Sequence, residues 1–359
     1  MTSPPATGPE TVFTASDGLA TWMRSRDLSI AFTSYQFGEL ILVGVAPSGE
    51  VTFSRQQLGR TAGLHFKGGR LHLAGAYQLW RIENALRPGE ISHQTYDAVF
   101  VPRATFIIGD VDLHEIGILP DGKPLMVNTK YNCLCTPDPV QSFRPTWMPP
   151  FVSDIVGEDR CHLNGLGMDK GRARYVTMLS SDDTLEGWRK RPKAGVLMEV
   201  ENHRIVTDEL SMPHSPRVQK DGVYALESGR GMIVRIDPKT GKSEDLAFCP
   251  GFLRGFAIVG DHALVTVSKP TKADYRPLAI QDELEARGVS AMCGVLVVDL
   301  TTGETVASIG IEGTTNQLFD VIALSGIACP LMLGPEDLRT AISFDRGALP
   351  ARRKAATRV

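Results

Sequence analysis

The stretch His114-Glu-Ile-Gly-Ile-Leu-Pro-Asp-Gly122 opens on a histidine, runs through a short apolar strand and ends in a glycine turn. Two further stretches repeat it: His162-Leu-Asn-Gly-Leu-Gly-Met-Asp-Lys-Gly171 and His214-Ser-Pro-Arg-Val-Gln-Lys-Asp-Gly222. The histidine precedes the turn glycine by 8, 9 and 8 residues, and successive histidines are 48 and 52 residues apart. A repeat of this length built from short strands is the sequence mark of a β-propeller, in which each repeat is one blade. The three histidines are expected at equivalent places, the starts of three successive inner strands.

Working outward, Phe252-Leu-Arg-Gly-Phe-Ala-Ile-Val-Gly260 and Leu318-Phe-Asp-Val-Ile-Ala-Leu-Ser-Gly326 carry the strand and turn without the histidine, and Gly63-Leu-His-Phe-Lys-Gly-Gly69 is a shortened copy. These six are the inner, or A, strands. Outer hairpins recur at residues 232–242 and 295–304 and again at 40–50 near the N-terminus. Residues 28–55 therefore read as strands B, C and D of a blade that lacks its A strand, while 318–324 is an A strand without an outer hairpin. Joining them closes a ring and removes the open sheet edge. The expected fold is an all-β, six-bladed propeller spanning residues 18–333, with seven blades as the alternative. Residues 1–17 and 334–359 are expected to be flexible tails, and residues 278–287 a short helix between strands B and C of one blade.

Composition excludes several classes. Apolar residues make up 42%, charged residues 22% and the net charge is −3, so no basic stripe calls for nucleic acid. No segment has the length and apolarity of a membrane span, and the N-terminus has no leader-like apolar run, which points to a cytoplasmic protein without a membrane partner. The six cysteines are scattered rather than set as a framework, so free, buried thiols are expected, including the close pair Cys133 and Cys135.

In a propeller the A-strand starts and the B-to-C loops share one end of the channel. His114, His162 and His214 are the expected ligands of a divalent transition metal (Zn, Fe, Ni or Cu), because three neutral imidazoles leave open positions for water or substrate. Glu227 and Tyr131 are candidate proton-transfer groups and Arg254 a third catalytic candidate. Asn164, Arg217, Asn128, Gln36 and Asp320 are candidate substrate contacts, with Arg254 and Asp320 facing the histidines across the channel. Unmetallated histidines serving as acid, base or anion donor remain open at this point. His65 is out of phase with the other three and is expected to face the blade interior or solvent.

The stretches Leu113-His-Glu-Ile-Gly117, His162-Leu-Asn-Gly-Leu-Gly-Met-Asp169, Met212-Pro-His-Ser-Pro-Arg217 and Leu226-Glu-Ser-Gly229 resemble an uncharacterised bacterial family, a conserved propeller-like domain of unknown function. The resemblance runs from about Trp22 to Leu333 and implies a fold but no activity. More distantly, one channel residue per blade is similar to six-bladed lactonase- and lyase-type propellers, whose metal sites use carboxylate and Asn ligands where this chain offers histidine. Iron propellers of the carotenoid-cleaving type use four histidines and seven blades, against three in-phase histidines here.

No nicotinamide or flavin fingerprint is present, so the expected function is metal-dependent, non-redox enzyme chemistry (lyase, hydrolase or isomerase) on a small polar molecule or peptide in the tunnel. The alternatives are an iron-dependent oxidative enzyme of natural-product biosynthesis and a non-catalytic propeller that binds a ligand or protein through the same face.

Overall fold

The computed structural model describes residues 11–190, 194–270 and 278–343. Six small sheets stand around a channel, and each is antiparallel from an inner strand A to an outer strand D. Blade 1 combines Val321–Ser325 as its A strand with Leu28–Ser34, Glu39–Val45 and Val51–Gln57, so the two ends of the chain share it as expected. The inner strands of blades 2 to 6 are Leu64–Lys67, Leu113–Ile118, Leu163–Asp169, Pro213–Gln219 and Phe252–Val259. The predicted helix is present as Ile280–Arg287, between strands B and C of blade 6, and ends on Gly288 in the left-handed region.

Alternation along each strand sends side chains to the two faces of a blade, and facing blades bury them against one another. Among the described residues one apolar cluster lies at each of the six blade-to-blade joints, and a seventh packs Leu278, Ile280 and Leu284 against Phe252. Phe32, Ile41 and Ile309 meet between blades 6 and 1, while Leu71, Leu73 and Leu42 meet between blades 1 and 2. All six cysteines are buried free thiols. Inner strands crowd where they converge, and glycine relieves the crowding. A Cβ on Gly255 would meet the Asp320 backbone of blade 1 at 2.6 Å. On Gly63 it would strike the His114 carbonyl.

The ends do more than close blade 1. Val12–Ala15 pairs antiparallel with residues 309–312 as a fifth, outermost strand of blade 6, which corrects the expectation that residues 1–17 are a tail. Pro330–Met332 pairs parallel with residues 98–100 at the outer edge of blade 2. Pro335–Arg339 forms a 3₁₀ turn, and residues 1–10 and 344–359 of the two predicted tails lie outside the described residues. The seam within blade 1 is stitched by Thr33, whose N–H donates to the Asp320 carbonyl at 3.0 Å and whose hydroxyl accepts the Asp320 N–H at 3.0 Å.

In blades 3 to 6 the pairing of strands A and B shifts register within a few residues of the start of A. Such bulges re-aim side chains where a ladder meets a site. The consequence is visible at that end of the channel.

Candidate functional site

A chamber of about 510 Å³ occupies the channel end where the A strands start. His114, His162, His214 and Arg254 line it together, with Tyr35, Leu179 and Trp188 contributed by B-to-C connections. The sequence-predicted histidines are thus brought into one cavity, and Arg254 joins them. They are not equivalent, however. His114 and His214 are the second residues of their strands, whereas His162 precedes Leu163–Asp169 and has φ +52°.

The hydrogen bonds fix the tautomer of all three rings. His114 Nδ1 lies 2.9 Å from the Asp112 carbonyl and His214 Nδ1 lies 3.0 Å from the Met212 carbonyl. A carbonyl only accepts, so each Nδ1 carries the proton. Asp112 and Met212 hold positive φ, which turns their carbonyls toward the ring two residues on. His162 Nδ1 lies 2.8 Å from Asp159 Oδ2, a carboxylate that also accepts the Trp188 indole N–H at 2.9 Å. With Nδ1 protonated, the neutral imidazole keeps its lone pair on Nε2. Among the described residues no hydrogen bond engages Nε2 of any of the three. Burial pushes His114 down to about 4, and burial followed by the nearby Arg254 holds His214 well below the ordinary value. Both are neutral at physiological pH.

A strip of stacked groups runs along the chamber. The Arg254 guanidinium lies 4.7 Å from the Phe252 ring and 6.0 Å from the Phe319 ring. Phe319 stacks on Tyr35 with centroids 5.7 Å apart, and the Arg60 guanidinium covers the other side of Tyr35 at 4.9 Å. Arg60 is also ion-paired to Asp112. Burial opposes ionisation of Asp112, but His114, His162 and Arg60 hold its carboxyl below the usual range.

The other predicted residues are placed elsewhere. Glu227 accepts the Ser211 N–H at 2.7 Å and an Arg230 N–H at 2.6 Å, and it lines a separate cleft between the outer parts of blades 4 and 5. Tyr131 packs against Phe143 and Gly157. Asn164 is buried and accepts the Thr177 hydroxyl, and Asn128 accepts the Tyr131 N–H. Gln36 is held by Thr314 and Asn316 at the wall of a neighbouring cavity. None of these five lines the histidine chamber.

Half-buried Arg217 and buried Asp320 belong instead to a belt deeper in the channel. Arg217 is ion-paired to Glu115, whose other oxygen accepts the Leu166 N–H at 2.6 Å. Asp320, expected to face the histidines, turns its carboxylate to the Leu64 N–H at 2.7 Å. Burial, then the Glu115 charge, raises it to about 7. Glu115 and Arg217 also line a second cavity of about 570 Å³ at the other channel mouth, and His65 lies there.

Among the described residues, no group of three or more His, Cys, Asp or Glu side chains is arranged to hold a metal ion. The residues therefore do not fit the three-histidine metal site expected from the sequence, and no chemical step is derived through a metal. Sequence reasoning missed Asp112, Asp159, Trp188, Phe252 and Phe319. Asp112 and Asp159 sit two and three residues before a site histidine, which is the signal that marked them.

Residues 17–333 match the family described as "Domain of unknown function (DUF4915)", and the chain belongs to that family. No curated protein matches the chain in sequence. Among solved structures it is similar to a chain of the nidogen/laminin complex, at 11% identity and a TM-score of 0.52, over 83% of this chain and 99% of that one. It is also similar to luciferin-regenerating enzyme, at 10% identity and a TM-score of 0.43, over 90% and 100% of the two chains. At these identities the first likeness speaks to the propeller fold alone. Among the described residues no helix is long and apolar enough to cross a membrane.

Proposed function

We propose that this member of the family is an enzyme that moves a proton on a small organic carboxylate held in the histidine chamber, as a lyase, isomerase or hydrolase does. The observation that carries this reading is the common tautomer: three imidazoles with Nδ1–H committed to the protein and Nε2 left for a guest, beside one guanidinium.

Each residue has a role that its surroundings support. Arg254, braced on two aromatic rings, brings a positive charge into the chamber wall that favours an anionic guest. His162 takes the proton at Nε2, and Asp159 both fixes the ring and stabilises the imidazolium that forms. His114 and His214, kept neutral by burial, accept hydrogen bonds from O–H or N–H groups of the substrate. Glu227 and Tyr131 have no part in this scheme.

The test is hydrogen exchange into a panel of 2-hydroxy and 2-oxo carboxylates in deuterated water, followed by NMR. Exchange at carbon that is lost in His162→Gln and Arg254→Gln supports the reading. Binding without exchange would make this a ligand-binding propeller, and no binding to any of them, or no effect of either substitution, overturns the proposal.

A further inference from the structure

The far mouth of the channel differs in kind from the histidine chamber. All six inner strands contribute residues to its cavity of about 570 Å³. We propose that this mouth is a second binding site, for a small apolar amine held as its ammonium ion, with the charged head on the Glu115 carboxylate and the apolar chain in the collar around it. The site stands independently of the chemistry proposed for the histidine chamber.

Three observations carry it. The cavity is an apolar collar with a charged floor. Met168, Val218, Ile258 and Ile322 come from four different blades and are only half-buried, so apolar surface remains at the mouth for a guest to cover. Glu115 is buried and yet lines the cavity. One of its oxygens accepts the Leu166 N–H and the other pairs with Arg217, and because a carboxylate oxygen has two lone pairs, each has room for one more donor. The floor is also one positive charge short. Arg217 is matched by Glu115 and anchored by donating to the Phe256 carbonyl at 2.8 Å and the Pro216 carbonyl at 3.1 Å. Asp320 has only the N–H groups of Leu64 and Val321, at 2.7 and 2.8 Å, and among the described residues no cation is ion-paired with it. Burial raises both carboxyls and the Glu115 charge raises Asp320 further, as two acids beside one guanidinium should behave. Nor do the other ionisable groups of the inner strands make up the deficit. His65 is kept neutral by burial, His114, His214 and Arg254 line the histidine chamber, and Lys67 and Asp169 stand exposed. An ammonium ion on the floor supplies the missing charge, whereas an anion would meet two acids.

The experiment is calorimetry on the full chain at neutral pH with three guests of like shape: hexylammonium, 1-hexanol and hexanoate. Hexylammonium is expected to bind about tenfold or more tightly than 1-hexanol, the value of a charge-assisted contact, and hexanoate more weakly than either. Asp320→Asn and Glu115→Gln should each cut that preference several-fold, and the first leaves the Glu115–Arg217 pair in place, so it reads the charge without disturbing the pair. Met168→Gln should weaken hexylammonium and 1-hexanol alike. His162→Gln, in the other cavity, should change neither. Equal binding of hexylammonium and 1-hexanol overturns the proposal, as does a preference for hexanoate, which would make Arg217 the head-group partner. It also falls if no guest binds, if the preference survives both acid substitutions, or if binding is lost in His162→Gln, which would place the guest in the histidine chamber.

Discussion

Nδ1 of His162 lies 2.8 Å from Oδ2 of Asp159, and both residues hold positive φ on the approach to an inner strand. Backbone strain kept at a site is a sign that the surroundings impose it. Asp159→Ala removes the acceptor of both His162 and Trp188. The expected result is a loss of about a hundredfold or more in carbon-bound proton exchange, as when an orienting carboxylate is taken from a base. Long-range ¹H–¹⁵N NMR should show His162 losing its preference for the Nδ1–H tautomer, while His114 and His214 keep theirs.

Acid should destabilise the fold. Burial holds His65, His72 and His114 at about 4 each, and an unfolded histidine titrates near 6.5. Between those values the unfolded chain takes up protons that the folded chain refuses, so their contribution is fully present above about pH 6.5 and is lost as the pH falls toward 4. Asp320 acts in the opposite sense. Held at about 7, it keeps a proton that an unfolded aspartate releases above about 3.8, so acidification through this range favours the folded state. The depressed histidines, His214 among them, outweigh the raised carboxyls of Asp320 and Glu115, and the urea midpoint should fall from pH 7 to pH 4.5. Asp320→Asn, which removes part of the opposing effect, should steepen that fall.

The Glu115–Arg217 pair should show strong coupling. Glu115 is buried enough that its carboxyl is raised despite the guanidinium beside it. Arg217→Met leaves that carboxylate without its partner and should cost about 3–5 kcal/mol in urea unfolding. Adding Glu115→Gln should recover part of the loss, so that the double variant is more stable than the sum of the two singles predicts.

Two glycines separate crowding from backbone conformation. Gly255→Ala drives a Cβ into the Asp320 backbone and should cost about 1–3 kcal/mol. Gly260 has open space around its would-be Cβ but φ +61°, so Gly260→Ala should cost only about 1–2 kcal/mol, the left-handed penalty alone. Paired thermal and urea melts check both.

The propeller was legible because each blade repeats the same apolar run and glycine turn, and because residues 318–324 lacked an outer hairpin that residues 28–55 supplied. Chamber membership was only partly legible. The histidines and Arg254 sit at strand starts, where the fold alone fixes their direction. His162 announced its different seat by its spacing of 9 rather than 8 residues to the turn. Glu227 also stands at the end of a B strand, yet it turns outward to Arg230, and alternation along one strand does not reveal which face a neighbouring cation will claim. Phe252 and Phe319 read as core residues, since an aromatic ring carries no sign that one of its faces lines a cavity. The strand at Val12–Ala15 is short and polar-flanked, and its pairing depends on an edge that exists only once blade 6 has formed.

The ring is fastened like a clasp with catches on both sides of the join. Blade 1 holds the join itself, the strand at Val12–Ala15 straps blade 6 on one flank, and Pro330–Met332 straps blade 2 on the other. Widening the channel by parting the ring at its join would require all three to let go together. A guest of the proposed site would therefore enter past the loops that carry Tyr35 and Trp188, with the blades around it held fixed.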